Sequence, residues 1–221
     1  MTSQLDNRSP KPQYPMQNLF IYQLFRDPIF FGRYIIIIIG SIVIHELAHG
    51  VAAISQGDNT PKTSGHITPN PIVHMGWTSI IFLCVSGMAW GLMPVTPSKF
   101  RHARWSDIAV SLAGPVSNLI LGTLAVVLAV VRARSGATMI SEEFCMMAAQ
   151  INFSLFALNM LPVPPLDGFH VYSQLFPKLK ALATPEISMF LMFAIFSIPA
   201  VGVGIGLVSS TMIKTIVAFL S

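Results

Sequence analysis

The chain has 221 residues, 53% of them hydrophobic and only 10% charged, with a mean hydropathy of +0.66. Water-soluble domains carry about 25% charged residues, so this composition excludes an ordinary soluble enzyme and indicates one bilayer domain of four to six spans. The formal charge of +4 fits basic loops beside a membrane better than a nucleic-acid partner, and none is expected.

Residues 1–15, "MTSQLDNRSPKPQYP", read as a tail and lack the basic start, apolar run and cleavage site of a secretory signal. The next stretch is too short to span and can lie along the surface. Residues 1–29 are thus a tail with an interfacial segment, and 30–221 a single domain. The first span covers roughly 30–55. A polar stretch with turn-forming residues follows, "QGDNTPKTSGHITPNP", residues 56–71. A second apolar run, about 76–95, is interrupted by Gly87, Gly91 and Pro94. The most basic loop is "TPSKFRHARWSD", 96–107, and 108–131 is the cleanest span. Another run covers 144–161, then comes "PVPPLDGFH", 162–170. The last apolar region, 187–220, contains Pro199 and reads as one span plus a surface helix or as two short spans. Cys84 and Cys145 lie in apolar runs without a CxxC partner, so neither a disulfide nor a thiolate metal site is expected.

The first span carries "HELAHG". His45 and His49 are four residues apart, so a helix presents both imidazoles on one face, one turn apart, within reach of one ion. Glu46 beside them can take a proton from an activated water and deliver it to a leaving amine. HExxH is the pattern of zinc peptidases but is short, and two helix histidines capped by neighbours give the same string. Membrane depth shifts the balance, because each ionisable group there costs roughly 2.5–3.5 kcal/mol. A catalytic zinc usually takes three protein ligands. Asp167 in "LPVPPLDG" is a candidate third, held on irregular backbone where the prolines stop any helix and Gly168 permits an unusual turn. Equally, that segment can be a surface loop with Asp167 a solvated turn residue.

Taken together, "HELAHG" (45–50), "GHITPNPIVH" (65–74), "PVTPSKFR" (94–101), "AGPVSN" (113–118) and "NMLPVPPLDG" (159–168) resemble, in order, the site-2 protease family of intramembrane zinc metalloproteases, in a short form with no visible PDZ or CBS domain. The resemblance implies one zinc per chain on His45, His49 and Asp167, with Glu46 as general base. It implies that Asn159 holds substrate backbone or stabilises the oxyanion. It also implies hydrolysis of a peptide bond in or near a transmembrane helix of a membrane-embedded protein or peptide, with regulation left to a membrane partner. Two positions depart from the family pattern: Gly76, where an aspartate is common, and Phe169, where a second glycine is common. Other readings are a metal-binding membrane protein or transporter without proteolysis, and an inactive helix-binding relative. Asn118 is expected to hydrogen-bond between helices, with Gly114 allowing close approach. His66 and His74 suit interfacial roles or a gate, His102 a solvated loop, and His170 a partner of Asp167. Trp77, Trp90 and Trp105 fit an aromatic belt.

For His45, His49 and Asp167 to share one depth, 76–95 must dip in and return on the same side. A re-entrant segment satisfies this, with a β-hairpin as one form. The fold class is accordingly an all-α polytopic membrane protein. The active site then shares a side with Lys99, Arg101, Arg104, Lys178 and Lys180, which the positive-inside rule makes the cytoplasmic side of a cell (inner) membrane. Arg8, Lys11, Arg26 and Arg33 run against that assignment.

Overall fold

The computed structural model describes residues 19–135 and 141–220; the expected tail, with Arg8 and Lys11, lies outside the described residues. Helix α1 is Pro28–Ser55. Asp27 caps it by accepting the amide of Phe30 (2.9 Å), and Pro28 occupies the first helical position, where a missing N–H costs nothing. At 1.5 Å per residue its 28 residues extend about 42 Å, more than a hydrocarbon core of about 30 Å.

Helix α2 is Pro71–Ser86, capped by Asn70 through the amide of Ile72 (3.0 Å). Gly76 breaks it with φ 66° and ψ 164°, a left-handed conformation that an aspartate at this position would not adopt readily. Gly87, at φ 79°, ends the helix, and the chain turns back along it in extended form. Ser79 Oγ donates to the carbonyl of Trp90 (2.7 Å) and accepts its amide (2.9 Å), while the amide of Leu92 donates to the carbonyl of His74 (2.8 Å). The segment therefore runs in and back, as expected, but as a helix with an extended return. No strand occurs among the described residues, so the β-hairpin form is not realised. A helix satisfies its own backbone groups in a dry setting, whereas a lone hairpin leaves both outer edges bare.

Helix α3, Ala103–Ser135, is followed by α4, Glu142–Asn159, α5, Asp167–Leu175, α6, Pro185–Ser197, and α7, Pro199–Leu220. Three of the described helices, α1, α3 and α7, are long and apolar enough to cross a bilayer; α2 and α6 are shorter apolar helices. The last apolar region is thus two helices, parted by Ile198 and Pro199. Ile37, Ile38 and Ile42 of α1 pack with Met75 and Leu83 of α2 and Ile151 of α4. A second cluster joins Val126 of α3, Phe153 of α4 and Ile213 of α7. Arg33 meets Glu143 across α1 and α4 at 2.8 Å.

One buried carboxylate fixes the end of α1. Asp58 is 0% exposed and accepts the amide and hydroxyl of Thr60 (2.9 and 2.5 Å) and the amide of Thr96 (2.6 Å). It clamps the turn after α1 to the chain entering α3. Burial would raise its pKa, but the bonds from Thr60 and Thr96 and the charge of Lys99 outweigh that and hold it below the usual carboxylate range.

Candidate metal centre

The one-turn spacing of His45 and His49 on α1 brings their Nε2 atoms to 3.0 Å from each other. Each Nδ1 is engaged elsewhere: His49 with the carbonyl of Val110 (2.7 Å), His45 with Asn118 Oδ1 (2.6 Å), both on α3. The carbonyl of Val110 can only accept, so His49 carries its proton on Nδ1 and turns a lone pair into the site. Two Nε2 lone pairs at 3.0 Å repel unless a cation lies between them.

Asp167 completes the group. Its Oδ2 is 3.1 Å from His45 Nε2 and its Oδ1 3.3 Å from His49 Nε2. Oδ2 is buried without a hydrogen bond of good geometry. Ligand atoms around a tetrahedral zinc, with bonds of about 2.0–2.1 Å, lie about 3.4 Å from one another. The observed edges approach that value, and the set of two imidazoles and a carboxylate with an orphaned oxygen fits the ion. Among the described residues this is the one group of three donors suited to a metal.

Asp167 is no loop residue. It opens α5, after Leu166 in extended conformation. Gly168 does not serve a left-handed turn; a Cβ there would come within 2.6 Å of the main-chain carbonyl of Met160, so it lets α5 cross the end of α4. Glu46 (7% exposed) and Asn159, the last residue of α4, line the same cavity of about 600 Å³ as the three donors.

Two glycines form the site in ways the sequence did not disclose. A Cβ at Gly114 would overlap the Nε2 atoms of both His45 and His49, so the close approach expected in "AGPVSN" is to the imidazoles themselves. A Cβ at Gly91, on the return chain, would overlap the Glu46 carboxylate. Small residues in a helix and in an apolar run were the available signals. Asn118 does bridge helices as expected, but its oxygen is on a proposed ligand. His74 (2% exposed) bonds through Nε2 to the carbonyl of Thr68 (2.6 Å) and sits between that loop and the return chain. His66 bonds within its own turn, to Ser64. His170 lines the cavity, with no hydrogen bond to Asp167 among the described residues.

Comparisons with known proteins agree with this geometry. The model of the family described as Peptidase family M50 matches residues 33–136 and 130–199. The chain is 36% identical over 177 residues to the Bacillus subtilis protein named "Putative zinc metalloprotease YwhC", covering 76% of this chain and 81% of that one. It is 30% identical over 149 residues to "Putative zinc metalloprotease Rip2" of Mycolicibacterium smegmatis, covering 62% of this chain and 56% of the relative. Rip2 of Mycobacterium tuberculosis is 27% identical over 164 residues, with 67% and 59% covered, so the chain spans a little over half of the Rip2 proteins. No solved structure matches.

Proposed function

The chain belongs to peptidase family M50 and is a multi-pass membrane zinc metalloendopeptidase, and from that premise we propose that it cuts a peptide bond in or beside a substrate's transmembrane helix. The observation that carries the reading is the convergence of His45, His49 and Asp167 with Glu46 in one cavity between apolar helices. His45, His49 and Asp167 hold the ion. When bound, zinc supplies a Lewis acid that polarises the scissile carbonyl and lowers the pKa of water. Glu46, pressed toward the site by Gly91, takes the proton of the attacking water and returns it to the leaving amine. Asn159 offers its side-chain amide to the substrate carbonyl, a donor placed where negative charge develops. The apolar cavity wall, including Ile42, Met93 and Leu155, limits bulk water around the reacting groups.

Substrate must reach this cavity as extended chain, since a helix hides each carbonyl in its own hydrogen bonds. The return chain spends main-chain groups of Trp90 and Leu92 on α2. Gly91 and Met93 make no main-chain hydrogen bond among the described residues and border the cavity. They supply an edge on which an unwound substrate can lie. The active site faces the cytoplasm, on the side of the exposed Lys99, Arg101 and Arg104.

The test is purified protein with a tagged transmembrane substrate, wild type against Glu46→Gln. Cleavage is expected to fall at least a hundredfold with about one zinc per chain retained. Asp167→Ala is expected to lose the zinc itself. Cleavage surviving in Glu46→Gln defeats the proton-transfer role, and full zinc occupancy in Asp167→Ala defeats the ligand assignment.

A further inference from the structure

Asn118 on α3 (0% exposed) and Asn152 on α4 (3% exposed) are buried carboxamides in an apolar bundle. Such groups are costly there unless each is hydrogen-bonded. They form a directed series. Asn152 Nδ2 donates to the main-chain carbonyl of Ala148 (2.9 Å). Asn118 Nδ2 donates to Asn152 Oδ1 (3.0 Å). Asn118 Oδ1 faces His45 Nδ1 (2.6 Å).

The carbonyl of Ala148 can only accept, and that sets every polarity after it. Asn152 must turn its NH2 to Ala148 and its oxygen to Asn118. Asn118 must then turn its NH2 to Asn152 and its oxygen to His45. His45 must carry its proton on Nδ1, which leaves the Nε2 lone pair facing Asp167. His49 needs no such series, because the carbonyl of Val110 touches its Nδ1 directly.

We propose that Asn152 is a positioning residue of the metal centre: acting through Asn118, it selects the imidazole form of His45 that can bind zinc. This rests on the assignment of His45, His49 and Asp167 as the zinc ligands. Without the oxygen of Asn152, the amide of Asn118 is free to rotate. In the rotated state it offers an N–H to Nδ1 and moves the His45 proton to Nε2, where the ion must bind.

The experiment uses the full chain in detergent or lipid discs and reads zinc affinity by chelator competition. Asn152→Leu is expected to weaken zinc about tenfold. The added side-chain volume has room, since Asn152 lines a groove of about 340 Å³ between α1, α3 and α4. Asn152→Asp keeps an acceptor for Asn118 and is expected to stay within about threefold of wild type. Adding Asn118→Asp to Asn152→Leu is expected to restore affinity, because a carboxylate presents only oxygens to His45. A merely structural asparagine would not show that rescue. A second readout needs no zinc: the ¹⁵N shifts of His45 in metal-free protein, assigned by their loss in His45→Gln. They are expected to report a proton on Nδ1 in wild type and a mixture of both forms in Asn152→Leu. If the leucine variant does not fold, Asn152→Ala carries the same expectations. An unchanged His45 form, or a loss of affinity that Asn118→Asp does not restore, overturns the proposal. Wild-type protein that binds no more zinc than Asp167→Ala overturns the ligand assignment instead.

Discussion

At the scale of single residues, the centre depends as much on missing atoms as on donors. Gly114 leaves vacant the space between α3 and the two imidazoles. One methyl group there would meet both Nε2 atoms, so Gly114→Ala is expected to weaken zinc binding at least tenfold while helix content holds; chelator competition with circular dichroism checks both. Gly91 is different, because its neighbour is Glu46 rather than a ligand. Gly91→Ala is expected to retain zinc and to lose cleavage by about a hundredfold, read as metal content against product formation. Retained activity in Gly91→Ala would mean that the return chain does not constrain the base. The pairing of His45 with His49 was legible because a helix repeats locally. Asp167 was legible only through resemblance, since nothing local marks a carboxylate that meets a partner 118 positions earlier in the chain. The roles of Gly114 and Gly91 were hidden for the same reason: the atom that forbids a side chain arrives from another element.

At the scale of elements, the junctions carry the precision. Asp58 joins the end of α1 to the entry of α3 and leaves three donors unpaired if removed. Asp58→Ala is expected to destabilise by about 1–3 kcal/mol. Its folded pKa is lowered relative to an unfolded aspartate near about 3.9. Its contribution is therefore complete above that unfolded value and is lost as pH falls through the lower folded one. Wild-type thermal stability should drop below about pH 4, and by a smaller amount in Asp58→Asn; equal drops would remove Asp58 from the acid response. The in-and-back course of 76–95 was readable from its glycines and from the need to bring ligands to one depth. Its conformation was not, because short apolar runs with glycine suit helix and strand alike. Gly76, met first as a departure from a family pattern, bends α2 where an aspartate would be strained. Local unwinding of the substrate is expected to limit the rate, so Gly or Pro flanking the cut should speed cleavage relative to Leu at matched insertion. Equal rates for the two substrates would place the limit elsewhere.

At the scale of the whole molecule, composition alone placed the chain in a membrane, and the helical architecture follows from a solvent that cannot satisfy open backbone. Sidedness is the remaining global property. A cysteine at Ser98, in protein lacking Cys84 and Cys145, is expected to resist an impermeant reagent applied outside intact cells. Ready labelling would reverse the orientation. The position of Asp167 has one more consequence. His49 and Asp167 close a loop of more than a hundred residues, and α5, which carries the aspartate, is only nine residues long. An ion bound to both is a cross-link as well as a reagent. By the chain-entropy scale for loops of this length, such a tether is worth on the order of 4 kcal/mol at most, concentrated on the short helix. Chelation should therefore speed hydrogen exchange in α5 well before it loosens the packing of α1, α3 and α4, so that the enzyme comes apart first at the strut that carries its third ligand.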